Sequence, residues 1–449
     1  MTPVVNVTES LCQWLCSVKA EDLPAQVFDK AVDTILDSVG AMLACATLPE
    51  VKMIVELAQQ QGGRAECSII GNRGRTAMLN AAMANGAMAH GDEVDPVHLL
   101  SSGGHVAAGP VPTALVVGQK LAAPGKDVLR AVILGYEVGG RLMTLCYRER
   151  DYVTRRFYHT AVVAALSSAV TAALLLGADR KTLQIAMGLA VYQAAGPDNM
   201  TKDPGHMGKT FQVAAANRNG LTAALLAQKG CFVPMDILDG RSGFFDAYLG
   251  NPDLAPELLK DLGSYYSITD VMHKRYPVGS PNQTYLQALL HLLKEHRIAA
   301  EEIREIEVYL PTRSVHRIPN TRHASISGDM VCAMAAVHGK LDFYQFHNPE
   351  AVAQAAVQEM RGRVRLVGRD DWQDLEQGRH AAVRLATTQD QVFEEEVWFQ
   401  PMDRREIEDK FEALVTPRVG ATKAQELERL ISDLPTALSI EPLMTALEG

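Results

Sequence analysis

The spacing of apolar residues changes along the chain, and this change constrains the fold more than any other feature. Up to about residue 262, apolar side chains recur at helical spacing in stretch after stretch, as in AQVFDKAVDTILDSVGAMLA and DVLRAVILGYEVGGRLMTLC. Several stretches end at glycine, which commonly stops a helix. No convincing strand pattern occurs there. The first part of the chain is therefore expected to be all helical.

A different pattern follows. Apolar and polar residues alternate in IREIEVYLP, and GRVRLVG, HAAVRLATT and VFEEEVWF are further candidate strands, with helical stretches among them. Helical periodicity returns in RREIEDKFEALV and KAQELERLISDL. We predict a mainly α protein with a large all-helical domain, residues 1–265 and 401–449. A smaller α+β domain, residues 266–400, is inserted into it.

Composition narrows the class of protein and its partners. The 449 residues exceed the usual limit of about 250 to 300 for one hydrophobic core, which agrees with two domains. Apolar residues make up 47% and charged residues 21%, as in ordinary globular proteins. The net charge of -10 is spread along the chain without a run of Lys or Arg, so nucleic acid is not an expected partner.

The location can also be predicted. The seven cysteines include no CxxC pair, and the N-terminal segment lacks the pattern of a signal peptide. The segment TAVVAALSSAVTAALLLGAD is long enough to span a membrane, but it is rich in Ala and Ser and has no aromatic belt. We expect it to be a buried helix of a cytoplasmic protein that does not bind membranes.

The stretch MAHGDEVDPVHLLSSGGH, from Met88 to His105, concentrates histidine and acidic residues between two predicted helices. Compact metal-binding spacings such as HExxH are absent, so no metal is predicted. Clustered imidazoles and carboxylates also perform general acid and base catalysis. Pro96 excludes a regular helix through the stretch. A solvated polar connector is the alternative, because loops are generally polar.

Three further segments carry candidate functional groups. His159 lies at the start of the most apolar helix, where the helix dipole favours a neutral imidazole and an anionic ligand. Lys209, just after His206 in GHMGKT, begins another helix, where a cation is unfavourable unless it binds an anion. Lys274 and Tyr276 lie at the predicted domain junction and could line a cleft. Each could instead have only a structural role.

Taken together, these segments resemble the MmgE/PrpD family, which includes 2-methylcitrate dehydratase, cis-aconitate decarboxylase and iminodisuccinate epimerase. The resemblance rests on the order of segments such as NAAMANGAMAHGDEVD, YHTAVVAALSSAVTAALLLG, GKTFQVAAANRNGLTAALLAQKG and HKRYPVGSPNQTYLQALLHL. It implies a helical domain built from both termini, an inserted α+β lid, a homodimer and an active site between the domains. It also implies that no metal or organic cofactor is needed.

The resemblance further implies positions for the site. The family's loop acid and the histidine that follows it match Asp95 and His105, and the next histidine and the two lysines match His159, Lys209 and Lys274. The family's usual Asp-Asp pair reads Asp95-Pro96 here. Met330 stands where the decarboxylase-like members have tyrosine.

These positions lead to a prediction of function. We expect a cofactor-free lyase, a dehydratase or decarboxylase, that moves a proton next to a carboxylate of a small di- or tricarboxylate. An epimerase of an iminodisuccinate-like dicarboxylate is one alternative, and a catalytically silent metabolite-binding scaffold is another. The expected catalytic residues are Asp95, His159, Lys209 and His105, and the expected substrate-binding residues are His98, Lys274, Tyr276 and His206. In this scheme His159 and Asp95 exchange the proton, Lys209, His105 and Lys274 hold carboxylates, and His98 and Tyr276 are accessory donors.

Overall fold

The computed structural model describes residues 6–101, 103–148, 157–199, 203, 206–318, 323–372 and 380–449. The chain forms two compact units. The first, called here the helical unit, comprises residues up to 91, 95–271 and 407–449; the second, the mixed unit, comprises 92–94 and 272–406. The mainly α class predicted from the sequence is confirmed.

In the part of the helical unit that the structure describes, nine α-helices precede the mixed unit. They are α1 (Val7–Ser17), α2 (Ala25–Cys45), α3 (Pro49–Gln60), α4 (Met78–Ala89), α5 (Pro110–Leu121), α6 (Gly125–Arg148), α7 (His159–Leu175), α8 (Arg180–Gln193) and α9 (Met207–Gln228). Its described residues also form the two-residue strands β1 (Cys67–Ser68), β2 (Arg75–Thr76) and β3 (Val97–His98). Strand β4 (Val271–Met272) falls at the boundary with the mixed unit. The sequence analysis expected no strand before residue 262, and this was wrong. A two-residue strand is too short to show an alternating pattern.

Helix α7 lies at the centre of the helical unit, packed against α6 and α9. Every residue from Thr160 to Leu174 is buried, as its Ala- and Ser-rich sequence predicts. Small residues allow this close packing. At Gly220 of α9, a Cβ atom would lie 2.5 Å from the backbone oxygen of Ala165, so only glycine fits without moving a helix.

The mixed unit contains a four-stranded sheet. Its elements in chain order are α10 (Gln283–Glu295), β5 (Ile303–Pro311), α11 (Thr312–Val315), α12 (Gly328–His338), α13 (Phe343–Phe346), α14 (Pro349–Val352), α15 (Ala355–Arg361), β6 (Val364–Arg369), β7 (His380–Thr387) and β8 (Val392–Trp398). The strand order is β6-β5-β7-β8, with β5 parallel to β6 and antiparallel to β7. All four strands lie where the alternating pattern predicts them.

One face of this sheet and the apolar faces of α10 and α12 form the core of the mixed unit. Val308 of β5 and Val383 of β7 pair across two antiparallel strands, and both are buried. Leu289 of α10 belongs to the same hydrophobic cluster. Met330 also belongs to it, so this position contributes an apolar side chain to the core of the unit.

Three helices follow the mixed unit: α16 (Arg404–Val419), α17 (Ala421–Ser432) and α18 (Glu441–Ala446). Apart from residues 92–94, which also belong to the mixed unit, the two units divide at residues 271/272 and 406/407, compared with 265/266 and 400/401 in the sequence analysis. Phe411 of α16 packs against Gly40 of α2, where an added Cβ would lie 3.1 Å from its ring. The C-terminal helices therefore complete the core of the helical unit.

Among the described residues, no single helix is both long and apolar enough to cross a membrane. Helices α2 and α3 are apolar enough over a sufficient length only when taken together, and they are bent by 91° where they meet. Helix α7 is apolar but has 17 residues.

Candidate active site

After α4, two histidines and one aspartate of the helical unit lie close together. His90 caps the C-terminal end of α4, and Asp95 follows five residues later. His105 precedes α5, and its backbone N–H donates to Thr160 Oγ1 of α7 at 3.4 Å. At Gly91, a Cβ atom would lie 2.7 Å from Cys45 Cβ, so the chain passes too close to α2 for a larger residue.

His90 and His105 share one carboxylate oxygen. The Nδ1 atoms of His90 and His105 each lie 2.9 Å from Asp95 Oδ2. The two imidazole rings meet edge to face, with centroids 4.3 Å apart and an angle of 67° between their planes. His90 is 0% exposed, Asp95 2% and His105 8%, so the hydrogen bonds of this cluster are shielded from water.

The environment fixes the charges of the cluster. Burial alone would raise the pKa of Asp95, but His105 and His90 outweigh this effect and hold the pKa well below its ordinary value. Burial lowers the pKa of His90 to about 3, with further lowering by the charges of Lys209 and His105. The resting cluster therefore contains an ionised Asp95 and a neutral His90.

These charges also determine where the imidazole protons lie. An ionised carboxylate only accepts hydrogen bonds, so the Nδ1 atoms of both His90 and His105 carry hydrogen and donate to Asp95. In a neutral His105, Nε2 is then the basic nitrogen. This is the orientation that a carboxylate gives to the general base of a catalytic dyad.

Lys209 places a buried cation close to the cluster. It lies in the first turn of α9, is 2% exposed, and is near enough to His90 for its charge to lower the pKa of that imidazole. Asn217, farther along α9, donates from Nδ2 to the carbonyl of Ala108 at 2.9 Å. This bond ties α9 to the segment that follows His105, so the position of Lys209 is linked to that of the cluster.

His159 begins α7, and the residue before it joins the cluster. The hydroxyl of Tyr158 lies 2.5 Å from His90 Nε2, and the two rings stack with centroids 5.9 Å apart. The rings of Tyr158 and His159 lie 6.1 Å apart and nearly perpendicular. His159 is partly exposed. The sequence analysis missed the roles of Tyr158 and His90 in this arrangement, because the two are 68 positions apart.

Two other predicted site residues of the helical unit lie in different surroundings. His98 is 0% exposed; its Nδ1 lies 3.3 Å from Ser101 Oγ, and its ring is 6.1 Å from that of Tyr136. Burial lowers the pKa of His98 to about 4. His206 caps the N-terminal end of α9 and has a φ of 57°, in the left-handed region that a residue other than glycine adopts at a cost.

The predicted residues Lys274 and Tyr276 belong to the mixed unit. Lys274 is 0% exposed, and its ammonium nitrogen lies 2.8 Å from Glu93 Oε2. Tyr276 is half-buried, and its backbone N–H donates to Gln283 Oε1 at 3.1 Å. Burial raises the pKa of its hydroxyl.

Asp92 belongs to the same unit and is also held on two sides. Its Oδ2 lies 2.7 Å from Nε2 of His347, and its Oδ1 accepts a hydrogen bond of 3.0 Å from Ser325 Oγ. The acidic residues of the loop therefore have different partners, because Asp92 and Glu93 pair within the mixed unit and Asp95 pairs with the two imidazoles.

His90, Asp95 and His105 are also a group that could hold a metal ion, because their ligand atoms all lie within 4.8 Å of one another. In the present geometry, however, both Nδ1 atoms are at hydrogen-bond distance from the same oxygen. The nearby charge of Lys209 also disfavours a second cation. We therefore interpret the group as a hydrogen-bonded acid-base cluster.

Comparison with known proteins identifies the family of the chain. A cis-aconitate decarboxylase-like protein of Aspergillus oryzae is 25% identical over 100% of this chain and 98% of its own length. The cis-aconitate decarboxylase of Aspergillus terreus is 26% identical over 98% of this chain and 96% of its own length. The sequence profiles of the MmgE/PrpD N-terminal and C-terminal domains match residues 9–257 and 276–436. The resemblance found in the sequence is confirmed, and the chain belongs to the MmgE/PrpD family.

Proposed function

We propose that this protein is a lyase that eliminates water or carbon dioxide from a small di- or tricarboxylate without a metal or organic cofactor. The observation that carries the proposal is the buried cluster in which Asp95 orients His105, with the ammonium group of Lys209 nearby. The family and the decarboxylases among its relatives support a lyase. A proton transfer next to a carboxylate needs these two elements, a positioned base and a cation.

In the proposed reaction, His105 Nε2 is the general base. It takes the proton from a carbon next to a substrate carboxylate, and the electron pair of the C–H bond remains on that carbon as a carbanion. Lys209 stabilises this charge through the carboxylate. The pair then forms the carbon-carbon double bond as the hydroxyl on the neighbouring carbon leaves, and the proton of His105 completes a water molecule.

Decarboxylation uses the same groups in the opposite direction. His105 first takes up a proton from solvent at Nε2. The electrons of the breaking bond to carbon dioxide remain on the substrate carbon, and His105 donates its proton there. Asp95 is a positioning residue in both directions. The carboxylate of Asp95 is a poor proton acceptor, because it already accepts two N–H groups and its pKa is strongly lowered. The geometry therefore favours His105 for the proton transfer that the sequence analysis assigned to Asp95.

The other predicted residues keep the roles expected from the sequence. His159, at the N-terminal end of α7, is the second candidate for proton transfer, because an imidazole at this end of a helix is kept neutral. Lys274, Tyr276, His98 and His206 remain predicted substrate ligands. A cytoplasmic homodimer is the corresponding expectation for the assembly.

The test is a panel of di- and tricarboxylic acids incubated with the enzyme in deuterated water and followed by NMR and mass spectrometry. We expect an alkene product from dehydration, or loss of carbon dioxide with one deuterium added at the reacting carbon. His105→Gln should lower kcat by roughly 10²- to 10⁴-fold, as expected for loss of a general base. His291→Gln is the matched control, since His291 is mostly exposed and pairs with Glu395 in the mixed unit.

Three outcomes would contradict the proposal. A folded His105→Gln protein with full turnover would exclude His105 as the base. Deuterium exchange with inversion and no loss of mass would identify an epimerase instead. Binding of several acids without any turnover would identify a metabolite-binding scaffold.

A further inference from the structure

The hydroxyl of Tyr158 has no part in the proton transfer described above, yet it lies in one chain of hydrogen bonds with the base. This chain runs from the hydroxyl to His90 Nε2, and from His90 Nδ1 to the oxygen of Asp95 that also binds His105. Tyr158 is 5% exposed and His90 0%. The buried ring of His90, with a hydrogen-bond partner at each nitrogen, has few alternative orientations.

The two partners of His90 require opposite hydrogen positions. Asp95 only accepts, so Nδ1 must carry the hydrogen. A neutral imidazole then has a lone pair on Nε2, and the Tyr158 hydroxyl must donate to it. If Nε2 carried the hydrogen instead, the lone pair of Nδ1 would face the negative carboxylate at 2.9 Å. The hydroxyl therefore stabilises the one tautomer in which His90 helps to hold Asp95.

The backbone holds Tyr158 firmly enough for this role. Tyr158 caps the N-terminal end of α7, and its N–H donates to the carbonyl of Gly196 at 2.8 Å. The next residue, His159, is the first residue of the helix. The hydroxyl is thus aimed by the start of the most buried helix of the unit.

We propose that Tyr158 is a positioning residue that locks His90 in the tautomer with hydrogen on Nδ1, and that the locked His90 holds Asp95 in the orientation that aims His105 at the substrate. The kinetic part of this inference rests on the proposed function. Without the hydroxyl, His90 also populates the other tautomer, and in that form it no longer donates to Asp95 Oδ2. The orientation of the carboxylate is then held less tightly, and so is that of the base.

The test compares Tyr158→Phe with Tyr285→Phe. Both remove only a hydroxyl from a buried tyrosine, and that of Tyr285 donates to Asn282 Oδ1 at 2.8 Å in the mixed unit. We expect Tyr158→Phe to lower kcat by roughly 10- to 100-fold, as for a small misplacement of a catalytic group, with KM unchanged. Tyr285→Phe should lower the temperature of thermal unfolding without this loss of kcat, because it removes one buried hydrogen bond.

A spectroscopic measurement tests the tautomer independently of any substrate. With ¹⁵N-labelled histidine, long-range ¹H–¹⁵N correlations report which ring nitrogen carries hydrogen, and the signals absent from His90→Gln identify His90. We expect a single Nδ1–H form in the wild type and in Tyr285→Phe. A mixture of both forms is expected in Tyr158→Phe.

The outcomes separate this inference from the proposed function. If the wild type turns over none of the acids but the tautomer changes as expected, the proposed function fails and the lock stands. If Tyr158→Phe keeps the Nδ1–H form, or keeps the kcat of an active wild type, the inference is wrong. A double-mutant cycle adds a check, because Tyr158→Phe should cost little further kcat in the His90→Gln background.

Discussion

Replacing Asp95 by asparagine tests the electrostatic basis of the site. The substitution keeps the size of the side chain but removes the negative charge next to His105. When His105 accepts the substrate proton, it becomes an imidazolium whose Nδ1 lies 2.9 Å from Asp95 Oδ2. With the two charge centres about 4 Å apart and an effective dielectric constant of about 20, their attraction is about 4 kcal/mol.

This attraction exists only once His105 is charged, so its loss raises the barrier of the proton transfer. A loss of about 4 kcal/mol corresponds to a decrease in kcat of about 10³-fold. The asparagine also offers an N–H₂ group where two N–H donors need an acceptor, which adds to the effect. The assay is the initial rate of product formation by the purified variant, with its fold verified by circular dichroism and thermal unfolding.

Asp37→Asn is the control for replacing a buried aspartate in the same unit. Asp37 is 1% exposed and pairs with Lys410 at 2.5 Å. This variant should lose stability, because it leaves a buried lysine without that charge, but should retain kcat. If a folded Asp95→Asn protein kept kcat within tenfold of the wild type, the assigned role of Asp95 in stabilising the imidazolium would be wrong.

Three further predictions concern stability. Burial lowers the pKa of His98 from 6.5 to about 4, so the unfolded chain takes up this proton first as the pH falls. This group should remove about 3 kcal/mol of stability between pH 6.5 and 4. In chemical denaturation across that range, His98→Gln should lose less stability than the wild type by that amount, and an equal loss in both proteins would contradict the lowered pKa. In the same assay, Gly220→Ala should lower the free energy of unfolding by about 1 to 3 kcal/mol, because its methyl group would meet the backbone of α7. Gly188→Ala should cost less, because the nearest neighbour of its methyl group, at 2.8 Å, is a side-chain methyl. Equal costs would contradict the close helix contact. Lys274→Met should lower the free energy of unfolding by about 3 to 5 kcal/mol, because it leaves the Glu93 carboxylate without this ammonium group. The double variant with Glu93→Gln should recover most of that loss. No recovery would show that the Lys274–Glu93 pair does not account for the loss.

The sequence predicts those helices and strands that are long enough to show a clear pattern of apolar residues. The period of apolar residues predicted α2, α6 and the strands β5 to β8, because each spans enough residues to repeat the pattern. Helix α7 was predicted from its Ala- and Ser-rich composition. The strands β1 and β2 could not be predicted, since two residues contain no period. Their pairing depends on tertiary contacts such as the bond from Ser68 N–H to Gln119 Oε1 at 2.7 Å.

The candidate site was predictable only in part, and for a physical reason. Asp95 and His105 lie in one loop, so their residue types already indicate acid-base chemistry. The hydroxyl of Tyr158, which contacts His90, lies far away in the sequence, and only the packing of α7 brings it to His90. The sequence also does not show that Asp92 and Glu93, close neighbours of Asp95, are paired with His347 and Lys274 instead.

In the proposed reaction, the charge balance of the cluster would let two imidazoles and one carboxylate work as a single base. In the proposed resting state His105 is neutral, the negative Asp95 and the positive Lys209 offset each other, and His90 is neutral. When His105 takes the substrate proton, one positive charge is added to the cluster and one negative charge appears on the substrate, so the site as a whole stays balanced. A second proton on His90 would break this balance, and burial and Lys209 both oppose it. His90 can therefore donate to Asp95 throughout the reaction without competing with His105 for the substrate proton.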